Sequence, residues 1–359
     1  MRKFAAGLIA AALIIMCSGC AKDADTADSA EQEAYSIARR YEALLTGGAE
    51  MDEILSAMGV DGYPAVDALG TLPFVNAEKL TAFVESQGEG SRVSFLRVET
   101  DGGLIYTRFY RDDTLRCRTL YITWDNTVPK ITFTSDYAIT SLSVTEKGYL
   151  IYTCDIPDNT APSKHDGYIV PTTMLRLAPR APEVTAFDKY VVPIGYNCND
   201  LFTRTWTGET AENVCWNDVY LSLWRAEHGA YLYYFDDPYP KLADSTLSLV
   251  PKAEFEALIT KYIAVSPEGI ALYDDESSAY PIGVNRTHMS DSVPIPEVVE
   301  GAENADGTYT LTVDALFVEG ATDRLFTHYV TLTPQEDGTL KISGNVCDTV
   351  EQNYTPLSW

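Results

Sequence analysis

The chain has 359 residues, of which 26 are basic and 52 acidic, for a formal charge of −26. Such a surface repels phosphate backbones and anionic lipid headgroups, which excludes nucleic acid as a partner and membrane adhesion by charge. The length exceeds one typical domain.

The N-terminus comes first in chain order. Met1-Arg2-Lys3 is followed by 13 apolar residues, Phe4 to Met16, and then by Ser18-Gly19-Cys20. That run is too short to span a bilayer, which takes roughly 20 residues, but it has the charge, apolar middle and small-residue end of a secretory signal. Small-small-Cys resembles the lipobox of bacterial lipoproteins, in which the cysteine thiol is lipidated and becomes the first residue. Cys17 stands where that pattern usually has Leu, and it follows Met16, which is too large to precede a cleavage site. Ordinary secretion by another peptidase is the competing reading. Removal of residues 1–19 leaves 24 basic against 52 acidic residues, a charge of −28. Residues 20–33 are acidic and Ala/Ser-rich, with no large apolar side chain, and read as a flexible tether. The expected location is the outer face of the cytoplasmic membrane, held through the N-terminal lipid.

Residues 34–155 read as an α+β domain. Ser29 and Gln32 form a capping box, and Ala34, Ile37, Ala38, Tyr41, Leu44 and Leu45 then recur at helical spacing up to Gly47-Gly48. "MDEILSAMG" gives a second helix, and Asn76 is the expected cap of a third with Leu80, Phe83 and Val84 as its stripe. From Arg92 the period changes to two. "RVSFLRVE", "GLIYTRFYR", "RCRTLYITW", "KITFTSD" and "GYLIYTCDI" predict a meander of antiparallel strands, with turns at Asp101-Gly102-Gly103 and Arg111-Asp112-Asp113. Residues 156–184 contain five prolines and read as a linker. Residues 185–359 repeat the theme. Trp216, Val219, Tyr220, Leu223 and Trp224 make one helical stripe, closed by Gly229. Phe255, Leu258, Ile259, Tyr262 and Ile263 make another, and strands follow after Gly301. Helices followed by antiparallel sheet define the class as α+β. "CRTLYIT" from Cys117 and "LFTHYVT" from Leu325 share a pattern that admits a diverged duplication of one helix-then-sheet module.

Beyond the lipid site lie Cys117, Cys154, Cys198, Cys215 and Cys347, an odd number without a Cys-x-x-Cys pair. They make neither a disulfide framework nor a zinc site. Pairing of Cys198 with Cys215, or of Cys117 with Cys154, stays open on spacing; in their strands Cys117 and Cys154 read as small buried hydrophobes.

The segments "VVPIGYNCNDLFTRTWTGETAENVCWNDVYLSLW", "VPKAEFEALITKYI" and "DGTYTLTVDALF…DRLFTHYVTL", with Asn76 to Phe83 and Asp101 to Trp124, resemble a family of uncharacterised lipoproteins from Gram-positive bacteria. The resemblance implies an exported, anchored protein and carries no activity or catalytic residue.

The chain lacks a Gly-x-Ser-x-Gly elbow, His-Glu-x-x-His, a Walker loop and a dinucleotide fingerprint, so no catalytic, metal or cofactor site is assigned. The four histidines are scattered: His165 and His288 in polar segments, His228 at a helix C-terminus, and His328 in a strand that turns it toward solvent. The most site-like stretch is "YLYYFDDPYPK". There Tyr231, Tyr233, Tyr234 and Tyr239 offer faces for sugars or cations, and Asp236 and Asp237 could grip hydroxyls or ammonium groups. Phe235 shares a strand face with Tyr231 and Tyr233, and the two aspartates also suit the turn that ends it. Asp274, Asp275 and Glu276 form a second acidic loop without the spacing of a calcium site. Recognition of a glycan, peptide or envelope protein is the leading expectation. The alternatives are a hydrolase of cell-wall or polysaccharide material that uses two acidic residues, and a structural or assembly factor for another envelope protein. Cys20→Ala is expected to release the protein to the medium or leave an unprocessed precursor, read by membrane fractionation and gel mobility; unchanged fractionation would overturn the lipid assignment.

Overall fold

The computed structural model describes residues 27–86, 88–157, 171–197, 199–208, 210–211, 214–230, 232, 238–243, 245–270, 277–283 and 293–347. Cys17, Cys20, Cys198, His165, His288 and the loop Asp274–Glu276 lie outside the described residues. The fold is α+β, as the change of period at Arg92 predicts. Among the described residues, no helix is long and apolar enough to cross a membrane.

The first elements are α1 (Ala27–Thr46), α2 (Met51–Val60), β1 (Ala65–Asp67), α3 (Glu78–Glu85), β2 (Arg92–Val98), β3 (Leu104–Arg111), β4 (Leu115–Asp125), β5 (Val128–Val144), β6 (Tyr149–Cys154) and β7 (Thr172–Arg176). Their seven strands form one sheet in chain order. Strands β2 to β5 pair antiparallel, and β1 joins the edge parallel to β2.

Strand β3 is buried on both faces. On one face Leu104 and Tyr106, with Leu96, Val98, Leu120 and Ile122 of the neighbouring strands, pack under α1 and α2. On the other, Phe109 meets Phe95 at 5.4 Å, Phe83 of α3 at 6.1 Å and Tyr152 at 4.9 Å between ring centroids. The guanidinium of Arg108, only 1 % exposed, is held under α1. It donates to the Tyr106 hydroxyl at 2.7 Å and to Ser29 at 3.2 Å, and it pairs with Glu33. A buried arginine is tolerated only with such partners.

Three expectations are corrected here. Helix α1 starts at Ala27, so residues 27–33, expected as part of a flexible tether, are helical. Ala30, Ala34 and Ala38 are fully buried at i, i+4 and i+8. Short side chains let the helix approach the sheet closely, so burial here needs fit rather than bulk. Asn76 does not cap α3, whose N-cap is Ala77. Asn76 instead adopts φ 52° and donates to the carbonyls of Gly59 and Tyr63 at 2.9 and 3.0 Å. Within 156–184, which reads as a linker, Thr172–Arg176 is strand β7.

The chain divides into two compact units: residues 1–144, 152–171 and 175–177 in the first, and 145–151, 172–174 and 178–359 in the second. The proposed boundaries at 155 and 185 thus give way to an interleaved division. The second unit adds α4 (Pro182–Thr185), α5 (Asp188–Val191), β8 (Trp206–Thr207), α6 (Trp216–His228), β9 (Ser248–Pro251), α7 (Lys252–Tyr262), β10 (Ala279–Ile282), β11 (Ile295–Glu303), β12 (Tyr309–Leu316), β13 (Thr327–Pro334) and β14 (Leu340–Val346). Its main sheet runs β11-β12-β13-β14-β8, all antiparallel. Val219, Tyr220 and Leu223 of α6 and Phe255 and Ile259 of α7 share a core with Leu311, Val313, Val330, Leu332 and Ile342. Helix α6 closes on Gly229 in the left-handed region, with His228 Nδ1 2.9 Å from the Trp224 carbonyl, the helix-end role its position predicts. Seven strands in chain order and five with β8 added at an edge do not support a duplication.

Two polar clusters lie inside the second unit. Asp314, 1 % exposed, accepts from Lys147 at 2.8 Å, Arg324 at 3.0 Å and Thr327 at 2.5 Å. Burial opposes its charge, but these donors outweigh burial and hold its carboxyl below the usual range. Glu297 accepts from Tyr149 at 2.8 Å and pairs with Lys147 at 3.1 Å.

His328 is fully buried, not turned to solvent: its register places it with Phe326, Val330 and Leu332, while Tyr329 faces out. Its Nδ1 lies 2.7 Å from Asn345 Oδ1, and its Nε2 lies 2.9 Å from the Tyr196 hydroxyl. The Asn345 amide nitrogen donates to the carbonyls of Phe202 and Arg204, so its oxygen is the acceptor and Nδ1 carries the proton. Burial lowers the pKa of His328 to about 4. The unfolded chain therefore binds the extra proton first, and stability is lost as pH falls from the ordinary histidine range toward 4. Between pH 7 and pH 5 this histidine should remove about 2 kcal/mol of unfolding free energy. Urea titrations at the two pH values check this, and His328→Gln should flatten that part of the profile.

A cleft at the end of the first sheet as the candidate functional site

The sequence places its site at Tyr231–Lys241, and there the only described member of the proposed set is Tyr239. Its hydroxyl donates to Glu254 and lies 3.1 Å from that of Tyr220, and its ring meets Trp224 edge-on at 5.8 Å. Desolvation and the Glu254 contact push its pKa up, so this phenol is a neutral donor committed to a structural partner. Tyr231, Tyr233, Tyr234, Asp236 and Asp237 lie outside the described residues, as does Phe235.

A cleft of about 380 Å³ opens instead in the first unit, lined by residues of three separate segments: 45–54, 99–102 and 124–126. That volume sits at the low end of the roughly 300–1,000 Å³ typical of small-molecule sites. The first segment is the end of α1 and the start of α2, where Leu45, Met51 and Ile54 form an apolar floor. The second is the turn between β2 and β3. Glu99 N donates to the Gly103 carbonyl at 2.8 Å, and Gly103 N donates to Asp101 Oδ1 at 2.9 Å. Gly102 within it takes φ 84°, and a Cβ there would lie 2.1 Å from the Leu45 carbonyl oxygen. Only glycine allows both the backbone shape and this close approach. The third segment is the hairpin between β4 and β5, where Asn126 occupies the left-handed region at φ 57°.

Trp124 ties these pieces together. Its indole N–H donates to the Gly102 carbonyl at 2.9 Å, which fixes the ring between the two turns. It is half-buried and packs against the core under α1, leaving part of its surface in the cleft wall. Glu99 and Asp101 stand on the wall with Thr100 and Asn126. One tryptophan, two acidic residues and the apolar Leu45, Met51 and Ile54 thus line the same cleft. It can stack a ring or alkyl group while the acids accept hydrogen bonds or face a cation.

A single aromatic ring near two acids is found here, at residues the sequence reading treated only as strand end and turn. The signal that could have found them is the tryptophan closing "RCRTLYITW" next to one hairpin, paired with an acidic turn on the adjacent strand pair. Elsewhere, among the described residues, no three His, Cys, Asp or Glu side chains gather as a metal site. Cys117, Cys154 and Cys215 form no disulfide, and burial together with Asp218 pushes Cys215 up to about 11. Cys117 and Cys154 are buried in their strands, where their thiols meet in a hydrogen bond.

No curated protein and no solved structure matches the chain. Residues 19–357, nearly the whole sequence, match a family described as "Family of unknown function (DUF6070)". The chain belongs to that family.

Proposed function

We propose that the protein is a lipid-anchored extracytoplasmic recognition protein that holds an envelope or extracellular ligand in the Trp124 cleft without turning it over. The observation that carries this reading is the cleft's composition: an oriented tryptophan, an apolar floor and two wall carboxylates. Anchoring through Cys20 rests on the apolar run and the Ser18-Gly19-Cys20 junction. Its likeness to exported lipoproteins of Gram-positive bacteria supports the same address. A hydrolytic role would have to draw on Glu99 and Asp101, and Asp101 is already engaged in holding its own turn.

The test is a melting-temperature panel on the purified full chain with sugars, wall fragments, short peptides and organic cations. A ligand at one hundred times its dissociation constant adds about 2.7 kcal/mol, which raises the midpoint by roughly 5–10 °C. The expected result is a shift that Trp124→Ala abolishes, with every ligand recovered intact. Ligand consumption that stops in Glu99→Gln would replace recognition by hydrolysis, and a shift indifferent to Trp124→Ala would move the site elsewhere.

A further inference from the structure

We infer that the face of the first sheet turned away from α1 carries a second ligand site, separate from the Trp124 cleft, which takes a carboxylate group on Arg97 and a row of hydroxyls. The row follows from the strand register. Thr107 of β3 lies opposite Thr119 of β4, and Thr119 lies opposite Ser135 of β5. Opposite residues share a face, so the three hydroxyl-bearing side chains stand in line with Cβ atoms about 5 Å apart. Thr107 also lies opposite Phe95 of β2, and Arg97, two residues further along that strand, is its diagonal neighbour within reach of a long side chain. Leu96 and Val98 alternate to the other face, under α1 and α2.

The fold leaves these groups unmet. Thr107 is fully buried, and its hydroxyl has no hydrogen-bond partner; Arg97 Nε is likewise shut off from solvent and unpaired. Taking polar groups out of water without replacing their bonds is unfavourable, so each such group calls for a reason. Among the described residues no carboxylate pairs with Arg97, although the chain has 52 acidic residues against 26 basic ones. Glu99, the next acid along the strand, has a partner of its own, and Asp136 is taken by Arg116 and Arg118. The guanidinium lies over this face near β4: Cys154 and burial push the Cys117 thiol up, and the positive charge of Arg97 acts on it in the opposite direction. Arginine presents Nε and one Nη side by side, which matches the two oxygens of a carboxylate. The hydroxyls can donate to the same oxygens without adding charge. One cation with neutral donors, in a chain of charge −26, suits a singly charged group better than a phosphate, which that field repels more strongly.

The probes are benzoate against benzamide, and trialanine against its C-terminal amide, which separate a free organic acid from a peptide C-terminus. Inorganic phosphate is the control for a more highly charged anion. Affinities are measured by calorimetry on the full chain at constant ionic strength. One of the two carboxylates should bind at least tenfold more tightly than its amide, and Arg97→Gln should remove that preference. Thr107→Val should weaken binding at least threefold without lowering the melting temperature, because it deletes a hydroxyl that the fold leaves unmet. Trp124→Ala should leave carboxylate binding unchanged, since the cleft is a separate site. Equal affinity for each acid and its amide would overturn the inference, as would a preference that survives Arg97→Gln. Phosphate binding more tightly than both acids would overturn the ligand class, and loss of carboxylate binding in Trp124→Ala would overturn the location.

Discussion

The first unit is organised by the burial of Arg108. A guanidinium in the middle of a two-sided strand loses its hydration and must be met by fixed partners, or the sheet could not form around it. Two of those partners, Ser29 and Glu33, lie in the first two turns of α1. The ion pair therefore fixes where the helix begins over the sheet, and the stripe Ala30, Ala34, Ala38 sets how closely it lies. A helix of 20 residues is a rod of about 30 Å, so pinning its start also determines where it ends. Its last turn then arrives against Gly102, and the gap left beside that contact is the cleft.

The second unit meets the same cost with carboxylates. Asp314 and Glu297 sit on neighbouring strands of the sheet, β12 and β11, and are answered by Lys147, Arg324, Tyr149 and Thr327. Such clusters add little net stability compared with an apolar core, but removing one member leaves an uncompensated buried charge. They therefore specify which segments must come together. Residues 145–151, which supply Lys147 and Tyr149, follow β5 in the chain and yet group with residues far beyond them. His328 with Tyr196 and Asn345 does the same without charge.

Much of this was legible in the sequence where one physical signal acts over several residues. The strands from Arg92 to Cys154 and the helices α1, α2, α6 and α7 follow from their apolar periods, and their turns from Asp-Gly and Gly-Gly. Strand β1 was not legible, since three residues paired parallel to β2 have no alternation to read. Strand β11, with a proline at its second position and a bulge after Val298, breaks its own period. Arg108 and His328 were missed as core residues because the benefit of burying them depends on partners more than 70 and about 130 positions away. The cleft failed to announce itself for a related reason. Its chemistry was sought in one contiguous stretch, whereas Leu45, Glu99 and Trp124 are brought together only by the fold.

The early start of α1 also bears on where this body stands. On the proposed anchor at Cys20, seven virtual bonds separate the lipidated residue from Ala27, a reach of about 25 Å when fully stretched. A tether running to residue 33 would have allowed nearly twice that. On that anchor the start of α1 stays within about 25 Å of the lipidated residue, which keeps the N-terminal end of the first unit close to the membrane surface.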